Sequence, residues 1–384
     1  MKIAAIKTWT EELGLLRPYV IASSGRVDSV SNIIVEISLE NGISGLGSAA
    51  PTGKGEDETH QRCQDVLQPD SLQWLIGKSI DTLDAIIIEL EQTLVNTPAA
   101  RAGIDIALHD ALAKCRQQPL VELLGQYHKR LPTSVTIGIK SLEESLEEAR
   151  EHIATGFKSL KLKIGLSLEK DIEIVTKMRE VAGQDVGLRV DANQGYERED
   201  FIRFFDRTSA LKLEFIEQPF KADQIDKMRS LDEGIRQHIV ADESLFTEQD
   251  AKVLAASPSA CGIFNIKLMK SGGIHSALRI ARVAQSAGIA LMWGCMDESI
   301  ISITAALHAA FACPSTKYLD LDGSFDLARD VVEGGFVLED GYMSILDKPG
   351  IGVELRHSNK TRVVTRSSEK AEAKAAGEKG PEAC

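Results

Sequence analysis

Ser159-Leu160-Lys161-Leu162-Lys163-Ile164-Gly165 decides how this chain is read. Side chains alternate across a strand, so Lys161 and Lys163 share one face while Leu160, Leu162 and Ile164 share the other. Two ammonium groups side by side in a short apolar strand repel one another, and an isolated Lys-x-Lys pair reads as a solvated edge strand. The spacing of the later charged residues changes that. Such residues end further apolar runs at Asp191 (after Val186 to Val190), Glu217 (after Leu213 to Ile216), Asp242 (after His238 to Ala241) and Lys267 (after Ile263 to Ile266). From Lys163 onward the steps are about 25–28 residues, the length of a strand plus a crossover helix. Roughly two further steps lead to Asp320-Leu321-Asp322. Between the rungs, Ile172, Val175, Met178 and Val181, and later Ala277, Ile280, Ala281 and Ala284, follow a helical apolar period.

A strand and crossover helix repeated at near-constant length make a β/α array with a parallel sheet. Eight such units close into a barrel, whose functional groups sit at the C-terminal ends of the strands, where each of these charged residues lies. The first barrel strand is expected at Thr133 to Ile139, with its helix at Leu142 to Thr155. The lysine pair ends the second strand, and Asp191, Glu217, Asp242 and Lys267 end the third to sixth. The seventh is expected at Ile289 to Gly294, followed by a helix from Ser299 to Ala312, and the eighth at Lys317 to Leu321.

The 384 residues are enough for a barrel and a second domain, at an ordinary globular balance of 43% hydrophobic and 26% charged residues. A net charge of −13 and the lack of a basic stripe speak against a nucleic-acid partner. The six cysteines, Cys63, Cys115, Cys261, Cys295, Cys313 and Cys384, form no paired motif and suit a reducing compartment. The start, Met1 to Lys7, lacks a signal-peptide core, and no apolar run reaches membrane-spanning length, so a cytoplasmic location is expected.

Residues 1 to about 130 lack the repeat and read as an α+β domain. Ile3 to Thr10 is a strand. Asn32 to Leu39 is turned by Glu40-Asn41-Gly42 into Ile43 to Ala49, a hairpin signal. Leu83 to Leu94 and Ala100 to Lys114 read as helices, and Pro51 to Gly55 as a flexible loop. Arg17 to Asn32, with Ser23-Ser24-Gly25-Arg26, reads as a polar loop suited to closing over a barrel mouth. The barrel is expected over 131–323. Gly334 to Leu346 reads as a hairpin within a segment (about 324–357) that completes the first domain, and 360–384 as a disordered tail.

Geometry turns this order into chemistry. The third to fifth strands are neighbours, so Asp191, Glu217 and Asp242 converge, an all-oxygen donor set suited to Mg²⁺, one ion per subunit. The second and sixth strands lie on opposite sides, so Lys163 and Lys267 face each other across the mouth. A carboxylate on the ion would have its Cα between two amines, one removing a proton and the other returning one to the opposite face through an enediolate. The result is inversion at carbon. The base must be a neutral amine, and Lys161 and the cation are expected to push the Lys163 pKa down, Lys161 acting as an electrostatic aid. Asp320 and Asp322, across from the ion, call for a cation at the substrate's far end, a distance that suits a dipeptide.

With these residues in place, the chain resembles the enolase superfamily, in its muconate-lactonizing subgroup. The matching motifs are Lys161-Leu162-Lys163, Asp191-Ala192-Asn193-Gln194-Gly195, Glu217-Gln218-Pro219, Ala241-Asp242-Glu243-Ser244 and Asn265 to Gly273, and the likeness spans about residues 1–357. Asp320-Leu321-Asp322 further resembles dipeptide epimerases of the L-Ala-D/L-Glu kind. The resemblance implies a (β/α)7β modified TIM barrel with an α+β capping domain that sets specificity. It implies Lys163 and Lys267 as the acid/base pair, Asp191, Glu217 and Asp242 as Mg²⁺ ligands, and Asp320 and Asp322 as anchors for the dipeptide ammonium. It also implies a dipeptide as the small-molecule partner, with no nucleic acid or membrane partner; a homo-oligomer is left open.

Two features depart from the alanyl-glutamate pattern. Arg26, in Ala22 to Arg26, is displaced from where a cap-loop arginine would meet the substrate's side-chain carboxylate, leaving that role to Arg26, to Arg17 or to neither. Beside Met296, Asp297 stands where an apolar pocket residue is expected, and an acid there favours a polar or cationic side chain. The leading expectation is an L-Ala-D/L-Glu or related dipeptide from cell-wall peptide recycling. The alternatives are an o-succinylbenzoate synthase, N-acylamino acid racemase or cycloisomerase on the same fold, then a binding protein on an inactive barrel, and last an acid-sugar dehydratase, which lacks a suitably placed His here.

Overall fold

Antiparallel pairing opens the chain. The computed structural model describes residues 1–21, 25–51 and 58–356, the side chains of 18–21, 25 and 26 excepted. β1 (Ile3–Ile21) pairs with β2 (Gly25–Leu39), and β3 (Ser44–Ala49) adds to β2 through the expected turn at Asn41-Gly42. The described part of the stretch expected as a loop from Arg17 to Asn32 is strand instead, with Tyr19 opposite Val27 and Glu11 opposite Asn32. Polar residues misled the reading because backbone pairing, not burial, holds this ribbon; Leu16, Arg17, Asp28 and Ser29 are exposed. Pro18 falls in the irregular part of the ladder between Gly14 and Tyr19, as a residue without an N–H must.

Helices α1 (His60–Val66), α2 (Leu83–Thr93) and α3 (Pro98–Cys115) cover the sheet. A Cβ on Gly47 would lie 1.8 Å from the Gly103 carbonyl oxygen, so β3 and α3 meet backbone to backbone. α4 (Leu120–Leu124) and β4 (Arg130–Pro132) lead into the repeat.

The first units of the repeat are β5 (Ser134–Ile137), α5 (Leu142–Ala154), β6 (Ser159–Lys163), α6 (Leu168–Ala182), β7 (Gly187–Asp191) and α7 (Arg198–Thr208). Then come β8 (Phe215–Glu217), α8 (Ile225–Arg229), α9 (Glu233–Arg236), β9 (Ile239–Ala241) and α10 (Glu248–Ala255). β10 (Ile263–Ile266), α11 (Leu268–Ser271), α12 (Ile274–Ala287), β11 (Ala290–Gly294), α13 (Ile300–Ala312) and β12 (Thr316–Asp320) complete it. β5 to β12 form one eight-stranded parallel sheet in sequence order. A parallel bridge from Thr133 to Leu319 brings its two edges together. The fold is thus the expected barrel with an antiparallel cap. α5 starts on a capping box in which Ser141 and Glu144 satisfy each other's backbone N–H groups.

One end of the barrel is closed by Phe215, Val240, Ile263, Met292 and Tyr318, with the Arg189 guanidinium 5.4 Å from the Phe215 ring and 5.1 Å from the Tyr318 ring. The cap is fixed to the barrel through α3, where Asp105 accepts from the Ile274 N–H (2.6 Å) at the start of α12. The ribbon of β1 and β2 leans on the segment after β12, with the Leu16 N–H donating to the Asp326 carbonyl (2.7 Å). β13 (Val332–Gly334), β14 (Phe336–Glu339) and β15 (Tyr342–Ile345) come next, and β14 and β15 make the expected hairpin, with β15 pairing with β4. Among the described residues no helix is long and apolar enough to cross a membrane. The expected tail over 360–384 and most of the Pro51 to Gly55 loop lie outside the described residues.

Candidate active site

Register alone brings the first group together. Lys163 at the end of β6 is the cross-strand partner of Asp191, which partners Glu217, so the three occupy one rung of the sheet. Asp242 follows β9 directly, and Lys267 follows β10 as the N-cap of α11. β6 and β10 are four strands apart in the sheet of eight, which puts Lys163 and Lys267 on opposite sides. Gly165 lets the chain leave β6 sharply, with φ +99° and the space for a Cβ already filled by the Ala192 carbonyl oxygen at 2.3 Å.

The acids lie among ammonium groups. Asp191 Oδ2 is 2.6 Å from Lys163 Nζ, and Asp242 Oδ2 is 2.9 Å from Lys267 Nζ. Lys161, buried, reaches Glu217 Oε2 (2.7 Å), Asp320 Oδ2 (2.6 Å) and Asp191 Oδ2 (3.4 Å). Burial would lower the Lys161 and Lys267 pKa values, but the surrounding carboxylates outweigh it and hold both ammonium groups above their usual range. Burial, and then repulsion from Asp191, pushes Glu217 up to about 8. For Asp242 burial is outweighed by Lys267 and Lys270, which hold it well below the usual carboxylate range.

The donor set fits a hard cation in kind, with three buried carboxylates on adjacent strand ends. Glu217 Oε2 accepts no well-formed hydrogen bond despite its ion pair with Lys161, as a group short of positive charge would. Among the described residues, no three such acids yet enclose a common point tightly enough to hold an ion. Each is drawn to a lysine, because a buried carboxylate takes whatever cation is in reach.

Across the mouth, the two strand-eight aspartates differ. Asp320 accepts from Ser134 Oγ on Oδ1 (2.6 Å) and from Lys161 Nζ on Oδ2 (2.6 Å). Both oxygens are engaged inside the protein, by Ser134 and Lys161. Asp322 is half-buried; its Oδ2 accepts from the Thr136 N–H (2.7 Å), and its Oδ1 has Cys295 Sγ at 3.9 Å. Arg17 pairs with Glu148 (3.6 Å) and Glu151 (3.2 Å) on α5. The Arg26 side chain lies outside the described residues. Met296 and Asp297 follow β11, both half-buried. The Met296 N–H donates to Glu298 Oε1 (2.8 Å), and Asp297 adds its charge to the surroundings of Glu298 and Asp326.

Sequence reasoning passed over several buried groups. Lys270 contacts Asp242 Oδ1 and reaches its carbonyl oxygen (2.6 Å). Its spacing of three from Lys267 along a helix was the available signal. Asn265 Nδ2 donates to Glu217 Oε1 (2.6 Å), and its place two residues before Lys267, whose backbone is still extended, puts both on the same face. Gln218 and Arg189 stand in plain view beside the strand-end acids, but their contacts depend on other strands.

Residues 5–125 match the mandelate racemase/muconate lactonizing enzyme N-terminal domain, and residues 144–359 match the enolase C-terminal domain-like family. An L-Lys-D/L-Arg epimerase of Methylococcus capsulatus is 53% identical over 92% of this chain and 99% of its own length. An L-Ala-D/L-Glu epimerase of Clostridium acetobutylicum is 36% identical over 85% of this chain and 92% of its own. The crystal structure of the dipeptide epimerase from Methylococcus capsulatus complexed with Mg and the dipeptide L-Arg-D-Lys superposes with a TM-score of 0.90 at 53% identity, covering 92% of this chain and 99% of that one. The chain belongs to the enolase superfamily, with the N- and C-terminal domains of its mandelate racemase/muconate lactonizing enzyme branch.

Proposed function

We propose that this protein is a Mg²⁺-dependent dipeptide epimerase that inverts the Cα of the C-terminal residue of a cationic dipeptide. The observation that carries this is the pair Lys163 and Lys267, ending strands four apart with the acids of three adjacent strands beside them. Asp191, Glu217 and Asp242 would hold the ion, which when bound withdraws charge from the substrate carboxylate and lowers the cost of removing the Cα proton. One of Lys163 and Lys267 takes that proton, and the other, as an ammonium, delivers its own to the opposite face. Lys161, between the acid set and Asp320, orients the carboxylate end. Asp322 is the group left to receive the substrate ammonium, with Asp320 behind it.

The choice of a cationic side chain rests on Asp297 after β11, on the acids Glu298 and Asp326 around it, and on the net charge of −13. It also agrees with the substrates that name the 53% identical relative. Residues 1–130, completed by about 324–357, would form the cap that selects the side chain over a barrel of 131–323. Such an enzyme consumes dipeptides released by a peptidase, cell-wall recycling being one source, in the cytoplasm.

Incubation with L-Arg-L-Lys and Mg²⁺ in ²H₂O tests the proposal. Deuterium is expected at the C-terminal Cα as the diastereomer forms. No exchange with any member of a dipeptide library overturns it.

A further inference from the structure

We propose that Gln218 is the positioning residue that sets the spacing of the carboxylates of Glu217 and Asp242. The sheet itself does not do this. β8 and β9 share only the pairs Ile216–Ile239 and Glu217–Val240, and β9 ends at Ala241, one residue short of Asp242. The N–H of Asp242 therefore has no strand partner at that edge. Gln218 supplies it: its Oε1 accepts from the Asp242 N–H (2.9 Å) and from the Ser244 N–H (3.2 Å).

The other end of the same amide is equally committed. Nε2 donates to the Phe220 carbonyl (3.0 Å) and to Ser244 Oγ (2.7 Å), so both donors and both acceptor positions are used at 0% exposure. The Gln218 backbone continues the tie on both sides, its N–H donating to the Val240 carbonyl (2.9 Å) and its carbonyl accepting from the Gln194 N–H (2.7 Å). One residue thus ties the ends of the strands that carry Glu217 and Asp242 to the loop that follows Asp191. It does so at φ +35°, a backbone conformation that costs a non-glycine residue energy and that the fourfold-bonded side chain maintains. A side-chain amide stands in for the missing next rung of the sheet.

This inference rests on the metal assignment made under the proposed function, and its test reads metal binding without any dipeptide. Mn²⁺ binding to the full chain, followed by electron paramagnetic resonance, is compared among wild type, Gln218→Met and Ser244→Ala. Gln218→Met is expected to bind Mn²⁺ about 10–100-fold more weakly, the usual effect of removing a group that orients a ligand. Ser244→Ala, which frees only the far side of the amide and keeps the fold if the methionine variant does not, is expected to weaken it several-fold. A cooperative melt of each variant accompanies the titration, since a purely structural role would move the melt and not the affinity. Wild-type binding with affinity unchanged in the folded variants overturns this inference alone. A wild type that binds no Mn²⁺ overturns it together with the proposed function.

Discussion

Acids stand on both sides of the barrel mouth, and they are held in opposite ways. On one side Asp191, Glu217 and Asp242 come one per strand from three adjacent strands, with four lysines around them. On the other side Asp320 and Asp322 come from a single strand end, and among the described residues only the first has a lysine at ion-pair distance. The consequence is visible in their acidity. For Asp320 burial is outweighed by Lys161 and Ser134, which bring it to about 2. For Asp322 burial and then its neighbour Asp320 push it up to about 6. Identical side chains two residues apart thus differ in what they have left to offer, because one is neutralised inside the protein and the other is not.

The first side breaks most completely. Removing divalent ions with EDTA is expected to abolish epimerisation, and Mg²⁺ to restore it, by the deuterium assay; activity that survives exhaustive chelation would end the reading of the three acids as cation ligands. Lys163→Ala or Lys267→Ala is expected to cut epimerisation by about 10²–10⁴-fold. Each variant should still exchange the Cα proton of the one diastereomer that its remaining lysine faces, and exchange from both would refute opposed bases.

The second side should split under mutation. Asp320→Asn takes a buried partner from Lys161 and is expected to cost about 3 kcal/mol of stability in a denaturant melt. Asp322→Asn should leave the melt nearly unchanged and raise KM for the dipeptide about 10–100-fold, the worth of a charge-assisted hydrogen bond. Equal effects of the two variants would erase the distinction between these aspartates.

Acid titration gives a smaller separation. A carboxyl near 6 takes up a proton as pH falls below that value and then no longer offers a negative charge, whereas Asp320 stays ionised down to about 2. KM is therefore expected to rise as pH falls from 6 to 5, by up to about tenfold, and Asp322→Asn should remove that limb. Last, Asp297→Asn should lower the preference for an arginyl or lysyl side chain over a neutral one by about fivefold, one rim charge being worth on the order of 1 kcal/mol.

The barrel was legible because its signal is local and repeated. A strand of five residues ending in Asp191 and a helix with Ile172, Val175 and Met178 on one side can be recognised without knowing what they touch. The strand ends could be placed from the period, so all seven expected charges of the acid/base pair, the cation set and strand eight lie at or just beyond strand ends. The cap ribbon was misread because its ladder runs through polar, exposed residues, where apolar alternation carries no information.

Pairing was beyond reach for a different reason. Lys161 and Asp320 are 159 residues apart in the chain, Ser134 and Asp320 are 186 apart, and nothing in the spacing says that the lysine expected to assist Lys163 also joins the two sides of the mouth. Residue type and period determined the barrel, the acids at its strand ends and the reaction class, because those depend on which groups each strand end presents. Only the tertiary structure decided which acid is neutralised and which remains available, because in a buried site the partner within about 3 Å sets a charge's behaviour, and that partner is chosen by folding across the barrel.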